Sequence, residues 1–305
     1  MTDPVERPPL SVVIASRDRA GQLDECLRRL QGVVGSDDEI VVVDSASRDD
    51  STRRTATAYD ATVVSMPAPG ASSARNAGWR AARHELVAFL DDDVMVHRGW
   101  ADAMAAALAR DGVAFVTGWI GVPPGQEEVP GPLPLMIEPE PRLLTAETKG
   151  AFGAGANWGA MKSALESVGG FDERLGPGRW WAAAEDVDLF DRLVIAGQSG
   201  CYDPGVRIDH DMWRGRRERL TLHWRYGKGM GARLAKLAAL DSRRFRRECR
   251  DALWTYGTRS LVREVADRWW GGALCTVLRL TSTTMGLAVG WVTVRRDASV
   301  RATST

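Results

Sequence analysis

Three adjacent carboxylates, Asp91-Asp92-Asp93, close a short apolar run. Their mutual repulsion costs free energy that a cation or a solvated surface must offset. Oxygen donors without cysteine suit Mg²⁺ or Mn²⁺, which bind few side chains and complete their shell with water and substrate phosphates. Further on, Glu185-Asp186 follows Arg179-Trp180-Trp181 at the head of a helical pattern. An acid there either serves as a base or complements the positive end of a helix. His210, flanked by Asp209 and Asp211, offers a nitrogen that divalent metals accept.

The surrounding pattern states what must position these groups. Residues 10–15 (LSVVIA), 39–43 (EIVVV) and 86–90 read as buried strands, 62–65 as a further strand, and 23–30, 51–59 and 72–83 as helices between them. Strands alternating with helices at this pitch argue a parallel, doubly wound α/β sheet. Such sheets bind ligands beyond the carboxyl ends of their strands. Here those ends hold Ser16-Arg17-Asp18, Asp44-Ser45 and Asp91-Asp92-Asp93, three polar clusters on one rim. A helix with Trp100, Met104, Ala107 and Leu108 on one face follows, then a strand over 113–119. Residues 123–141 hold seven of the 14 prolines and read as an irregular excursion over a site. Order resumes over 153–161, and the helix from Glu185 carries Leu189, Leu193 and Val194 on one side.

Composition excludes disorder, collagen-like repeats and a small disulfide scaffold: 305 residues, 44% apolar and 26% charged. The net charge of zero hides a division near Trp213. Residues 213–305 carry 20 Lys+Arg against 7 Asp+Glu, a balance of +13, and the body before them carries −13. This mostly helical tail either neutralises an acidic face or meets anionic lipid headgroups or a phosphorylated acceptor. Cys26, Cys201, Cys249 and Cys275 are scattered without zinc spacing, which fits a reduced, cytoplasmic compartment. The polar N-terminus, MTDPVERPPL, does not read as a signal peptide. Residues 271–294 are apolar but include Arg279, and the uncharged remainder has 15 residues, short of the roughly 20 that a spanning helix needs. A central arginine adds about 2.5–3.5 kcal/mol on insertion scales. A core-packed or interfacial helix is therefore expected there.

Six runs stand in a telling order: VVIASRD at 12–18, VVVDSASRDDST at 41–52, ASSARNAGWRAA at 71–82, FLDDD at 89–93, GGFDERLG at 169–176 and AEDVDLFDRL at 184–193. Together they resemble a family 2 glycosyltransferase of the GT-A fold, over about residues 10–215. The resemblance implies a mostly parallel doubly wound sheet, with 216–305 as a basic, mainly helical C-terminal extension. It implies an inverting transferase that uses a nucleoside-diphosphate sugar with Mn²⁺ or Mg²⁺. Carried over residue by residue, Ala15 and Arg17 match the loop that borders base and ribose, and Asp44 the acid that accepts from a uracil-type N–H. Arg75 matches the basic residue near the donor's base and phosphates. Asp91 and Asp93 match the two acids of the DXD motif, with Asp92 between them on the donor side. Asp91 then faces the ribose and the metal site, and Asp93 the metal. Asp186 matches the catalytic base, and His210 a third metal position. The first loop departs from the pattern, with Arg17-Asp18 where many members have an aromatic residue and Asn.

On the acceptor side Asn157, Trp158, Trp180, Trp181 and Glu185 are candidates, because sugar rings stack on indoles and amides hydrogen-bond hydroxyls. Core or lid packing is the alternative for the tryptophans. The segment 223–229, HWRYGKG, resembles a basic stretch found after the core in many members, and reads either as a phosphate clamp or as a solvated helix. Asp44 favours a UDP or dTDP donor, and GDP donors also occur in the family. The acceptor is a hydroxyl on a glycan, a lipid-linked glycan or a natural product, and no nucleic acid is expected. The extension offers contact with an anionic membrane, placing a cytoplasmic enzyme at the inner face of the cell membrane. A sugar nucleotidyltransferase would want a glycine-rich basic loop after the first strand, and ASRDRAGQL lacks one. A non-catalytic nucleotide-sugar-binding homologue would not need Asp91, Asp93, Asp186 and His210 together.

Overall fold

In a computed structural model, residues 7–125, 135–211 and 216–296 are described. They divide into two compact units. The first comprises Met1–Asp172 with Leu189–Met212, and the second Glu173–Asp188 with Trp213–Thr305.

The first unit is built on one nine-stranded sheet, in the order β3-β2-β1-β4-β8-β6-β9-β5, with β7 paired to β9. The strands are β1 (Leu10–Ser16), β2 (Glu39–Asp44), β3 (Thr62–Ser65), β4 (Leu86–Asp91), β5 (Val94–Val96), β6 (Phe115–Gly121), β7 (Arg142–Leu144), β8 (Asn157–Met161) and β9 (Gly200–His210). From β3 to β4 the pairing is parallel; β8 then runs antiparallel to both β4 and β6. The sheet is therefore mixed rather than uniformly wound. Residues 10–14 and 41–43 are all buried, since helices cover both faces, and this explains continuous apolar runs instead of alternation.

Helices α1 (Ala20–Leu30), α2 (Ser51–Ala58), α3 (Ala71–Ala81), α4 (Trp100–Leu108), α5 (Lys162–Ser167) and α6 (Glu185–Ile195) connect the strands. Leu189, Phe190, Leu193 and Val194 of α6 belong to the core of the first unit. Helix α3 lies close on β1 because a Cβ at Gly78 would overlap Val13. Its Ala74, Arg75 and Trp79 are buried as well. The excursion expected over 123–141 falls partly outside the described residues. Its far end returns to the sheet through a bridge between Ile120 and Met136.

The second unit contains α7 (Arg216–Leu240), α8 (Ser242–Asp251), a π-helical stretch (Ala252–Arg259), α9 (Ser260–Ala266) and α10 (Trp270–Arg296). Helix α10 covers the apolar stretch 271–294. By length and composition its Trp270–Val294 could cross a membrane, with mean hydropathy 1.3, yet only 22% of that window is buried. It is thus not a core-packed helix.

Candidate functional site

The rim of the first unit follows from hydrogen-bond register. Parallel pairing sets Ser16 opposite Asp44, and Ala15 opposite Asp91. After Asp93 the chain enters β5, whose antiparallel pairing sets Val94 opposite His210. This register delivers His210 to the carboxylates: its Nε2 lies 3.4 Å from Asp93 Oδ1. The Asp211 amide donates to the Asp93 carbonyl at 3.1 Å and fixes the strand end. His210 Nδ1 donates to the Asp211 carbonyl at 3.1 Å, which orients the ring with Nε2 facing Asp93. One ligand atom from each of Asp91, Asp93 and His210 lies within 4.8 Å of the others. Two carboxylates and an imidazole oriented through its other nitrogen fit a divalent cation such as Mn²⁺ or Mg²⁺.

Two arginines balance this charge. Arg75 of α3 donates to Asp91 Oδ1 at 2.8 Å. Burial opposes the Asp91 charge, but Arg75, with His210 and Arg19 behind it, holds its carboxyl below the ordinary range. Arg19, just before α1, donates to Asp92 Oδ1 at 2.8 Å and to Asp93 Oδ2 at 3.4 Å. Asp92 itself is turned inward, 3% exposed, and accepts from Ser16 Oγ at 2.7 Å. Its expected place on the donor side is therefore corrected: both its oxygens are engaged by protein, tying the end of β1 to the acidic turn. Burial, reinforced by the Asp93 charge, pushes its pKa up to about 6 against the pull of Arg19 and Ser16. Sequence reasoning passed over Arg19, one residue beyond the cluster it had marked.

The loops after β1 and β2 are joined. Asp18, at φ +55°, accepts from the Arg48 amide at 2.8 Å, and its own amide donates to Ser47 Oγ at 3.0 Å. Asp44 Oδ1 accepts from the Ser47 amide at 2.9 Å. Asp44 and Ala15 are half-buried at this edge, and Arg17 is exposed.

Two acceptor-side expectations are overturned by packing. Asn157 is fully buried; its amide donates to the Trp119 and Val206 carbonyls and accepts from Trp100 Nε1. Trp158 is also fully buried, stacked on Phe89 at 4.4 Å with Phe190 at its edge. Strand β8 lies inside the sheet, so neither side chain can meet a sugar.

The remaining candidates lie in the second unit. Trp181 is buried with Leu175 and Ala232, while Trp180 is 61% exposed, with Lys228 Nζ 4.1 Å from its ring centroid. Of the indole pair, then, Trp180 is the accessible one. Asp186 Oδ1 accepts from the Val187 amide at 2.8 Å, and Glu185 is buried. Just before them Ala184 sits at φ +68°, a conformation that costs a residue with a Cβ about 1 kcal/mol or more and that collects at functional sites. Helix α7 braces this turn with one face. Lys228 caps Trp180, and Gly229 lies against the Ala183 backbone so closely that a Cβ would overlap it. Ala232 meets Trp181, and Lys236 Nζ pairs with Asp188 at 2.6 Å.

The sequence profile described as Glycosyl transferase family 2 matches residues 11–169. A "Pre-mycofactocin glycosyltransferase" of Mycobacterium tuberculosis H37Rv is 31% identical over 211 residues, 66% of this chain. The chain spans 42% of that relative's length. Among solved structures, the mannosyltransferase PcManGT of Pyrobaculum calidifontis, in complex with GDP-Man and Mn²⁺, superposes with TM-score 0.60 at 18% identity, covering 96% of this chain and 88% of that one. GalNAc-T7 with UDP, GalNAc and Mn²⁺ gives TM-score 0.55 at 15% identity, covering 78% and 52%. Both carry the same α/β architecture.

Proposed function

The chain belongs to glycosyl transferase family 2, and from that premise we propose that it is an inverting, metal-dependent glycosyltransferase. It moves a sugar from a nucleoside-diphosphate donor to an acceptor hydroxyl. The observation that carries this reading is the meeting of Asp91, Asp93 and His210 within 4.8 Å at the carboxyl rim of the sheet.

In this reading residues 10–215 are the catalytic domain. Asp93 and His210, with Asp91, hold a divalent cation. Bound there, such an ion offsets the charge that develops on the leaving phosphate. Arg75 holds Asp91 in its ionised form and adds positive charge on the donor side. Asp44 and the backbone near Ala15 border the base, and Arg17 reaches outward from the same loop. Asp186 takes the proton from the acceptor hydroxyl as it attacks, and Glu185 orients that carboxylate. Displacement from the opposite face inverts the anomeric centre in one step, so a single base suffices. Trp180 offers the stacking surface on the acceptor side, and Trp181, buried against Leu175 and Ala232, supports it from behind rather than meeting a sugar. The acceptor is a glycan, a lipid-linked glycan or a natural product, and residues 216–305 bring the enzyme to the anionic inner face of the cell membrane.

The similar solved structures hold GDP-Man in one case and UDP in the other. The test is accordingly a thermal-shift screen of UDP-, dTDP- and GDP-sugars with and without Mn²⁺. At about 100–1,000 times Kd the matching donor stabilises by roughly 2.7–4.1 kcal/mol. One nucleotide class should raise Tm, and only with the metal. A flat response to every donor would remove the transferase reading.

A further inference from the structure

The elbow between α9 and α10 turns apolar side chains outward. Val262 is 65% exposed and Trp270 67%, and Val265, Trp269, Leu274 and Val277 are exposed beside them. Arg259, Arg263 and Arg268 are exposed on the same short stretch. Its acids are Glu264, half-buried and accepting from Thr276 Oγ1, and the exposed Asp267. From Trp270 the exposed row continues through Leu274, Val277, Thr281, Thr284 and Ala288 to Trp291, without a charged residue on it. At 1.5 Å per residue this row is about 32 Å long.

The row cannot roll inward, because small residues seat α10 on α7. A Cβ at Gly231 would overlap the backbone at Thr283, and one at Gly286 the backbone at Lys228. At Gly290 it would press on Ala232. The outward face is therefore a fixed feature of the unit.

We propose that this elbow and row form a lipid-docking face, on which α10 lies in the plane of an anionic bilayer. Trp269 and Trp270 sit at headgroup level, where indoles concentrate, and the three arginines meet lipid phosphates. This deepens the reading of the extension as membrane-facing by naming its surface. Helix α10 does not span. It would have to carry α7 with it, and α7 holds Arg233 and Lys236 in buried pairs with Glu248 and Asp188. Charge complementarity favours anionic lipid over a second copy of the chain, whose same face would bring like arginines together.

The experiment is sedimentation of the full chain with vesicles of phosphatidylcholine alone or mixed equally with phosphatidylglycerol, at low and high salt. Binding should require phosphatidylglycerol and weaken with salt. W269S/W270S should lower it at least tenfold. Replacing Arg259, Arg263 and Arg268 by Gln should cost about fivefold for each one removed. These side chains are exposed, so an unchanged far-UV spectrum and melting curve should accompany the loss. Metal-dependent donor binding in solution should also be unchanged in W269S/W270S. Failure of donor binding in the wild type would fall on the transferase reading, since vesicle binding is read without substrate. No binding by the wild type, or equal binding by W269S/W270S, overturns the docking face. A dimer that W269S/W270S dissolves, with no vesicle binding, would reassign the surface to self-association and overturn it too.

Discussion

His210 owes its place to one hydrogen-bond register. Pairing of Val94 with His210 sets the imidazole beside Asp93, and the Asp211 carbonyl chooses which nitrogen faces the carboxylate. Asp93→Ala and His210→Ala should each weaken Mn²⁺-dependent nucleotide binding in calorimetry. The loss should exceed the roughly 10–100-fold that removing an outer hydrogen-bond partner of a metal ligand produces. Wild-type affinity in both variants would remove the metal from this rim. Residue type marked Asp91, Asp93 and His210 as groups able to hold a hard cation, but their grouping was implied only by the family resemblance, and the fold brings them together. Asn157 and Trp158 were not legible. Closeness in sequence to a motif does not say which way a side chain faces, and β8 is buried between two strands. Arg19 escaped because an arginine at a helix start has no pattern of its own; only the fold shows that it reaches Asp92 and Asp93.

Among the elements, β1, β2 and β4 could be read directly, since strands covered on both faces have nothing but apolar residues to offer. Strand β9 could not. GCYDPGVRIDH contains Pro204 and Gly205 amid charged residues, which hides any strand pattern, yet it pairs with β5, β6 and β7. Helix α7 makes a sharper case. Its segment 223–229 reads as a phosphate clamp or a solvated helix, and neither reading foresaw that one face of α7 braces residues 180–188. Gly229→Val should push α7 off Ala183 and lower turnover while leaving donor affinity near wild type; a fall in donor affinity with turnover intact would contradict the brace. At the start of the sheet, Asp38 accepts from Arg7 at 2.6 Å and from the Gly35 and Leu10 amides at 2.7 and 2.8 Å. Burial opposes its charge, but these donors hold its pKa below the ordinary 3.8. A depressed carboxylate contributes stability that is present above its unfolded value and lost as pH falls through the folded one. Asp38→Asn should therefore cost about 1–3 kcal/mol at neutral pH. In denaturant titrations the gap from wild type should narrow as the pH drops below about 3.8. A gap independent of pH would assign the loss to packing instead.

For the whole molecule, a sequence of zero net charge is divided into a body at −13 and a tail at +13. Chains near zero net charge associate readily, and opposite blocks attract across molecules at low ionic strength. Light scattering near pH 7 should therefore fall as salt is added; scattering that rose with salt would point to apolar contacts instead. The central claim is chemical, and one variant tests it most directly. Asp186→Asn keeps the shape of the side chain and its hydrogen bonding but cannot take a proton. With the matching donor, Mn²⁺ and an accepted hydroxyl acceptor, nucleoside diphosphate release should fall about 10²–10⁴-fold, while donor affinity stays near wild type. Release at the wild-type rate from Asp186→Asn would contradict the account and leave the acids that open α6 as helix-terminus charges.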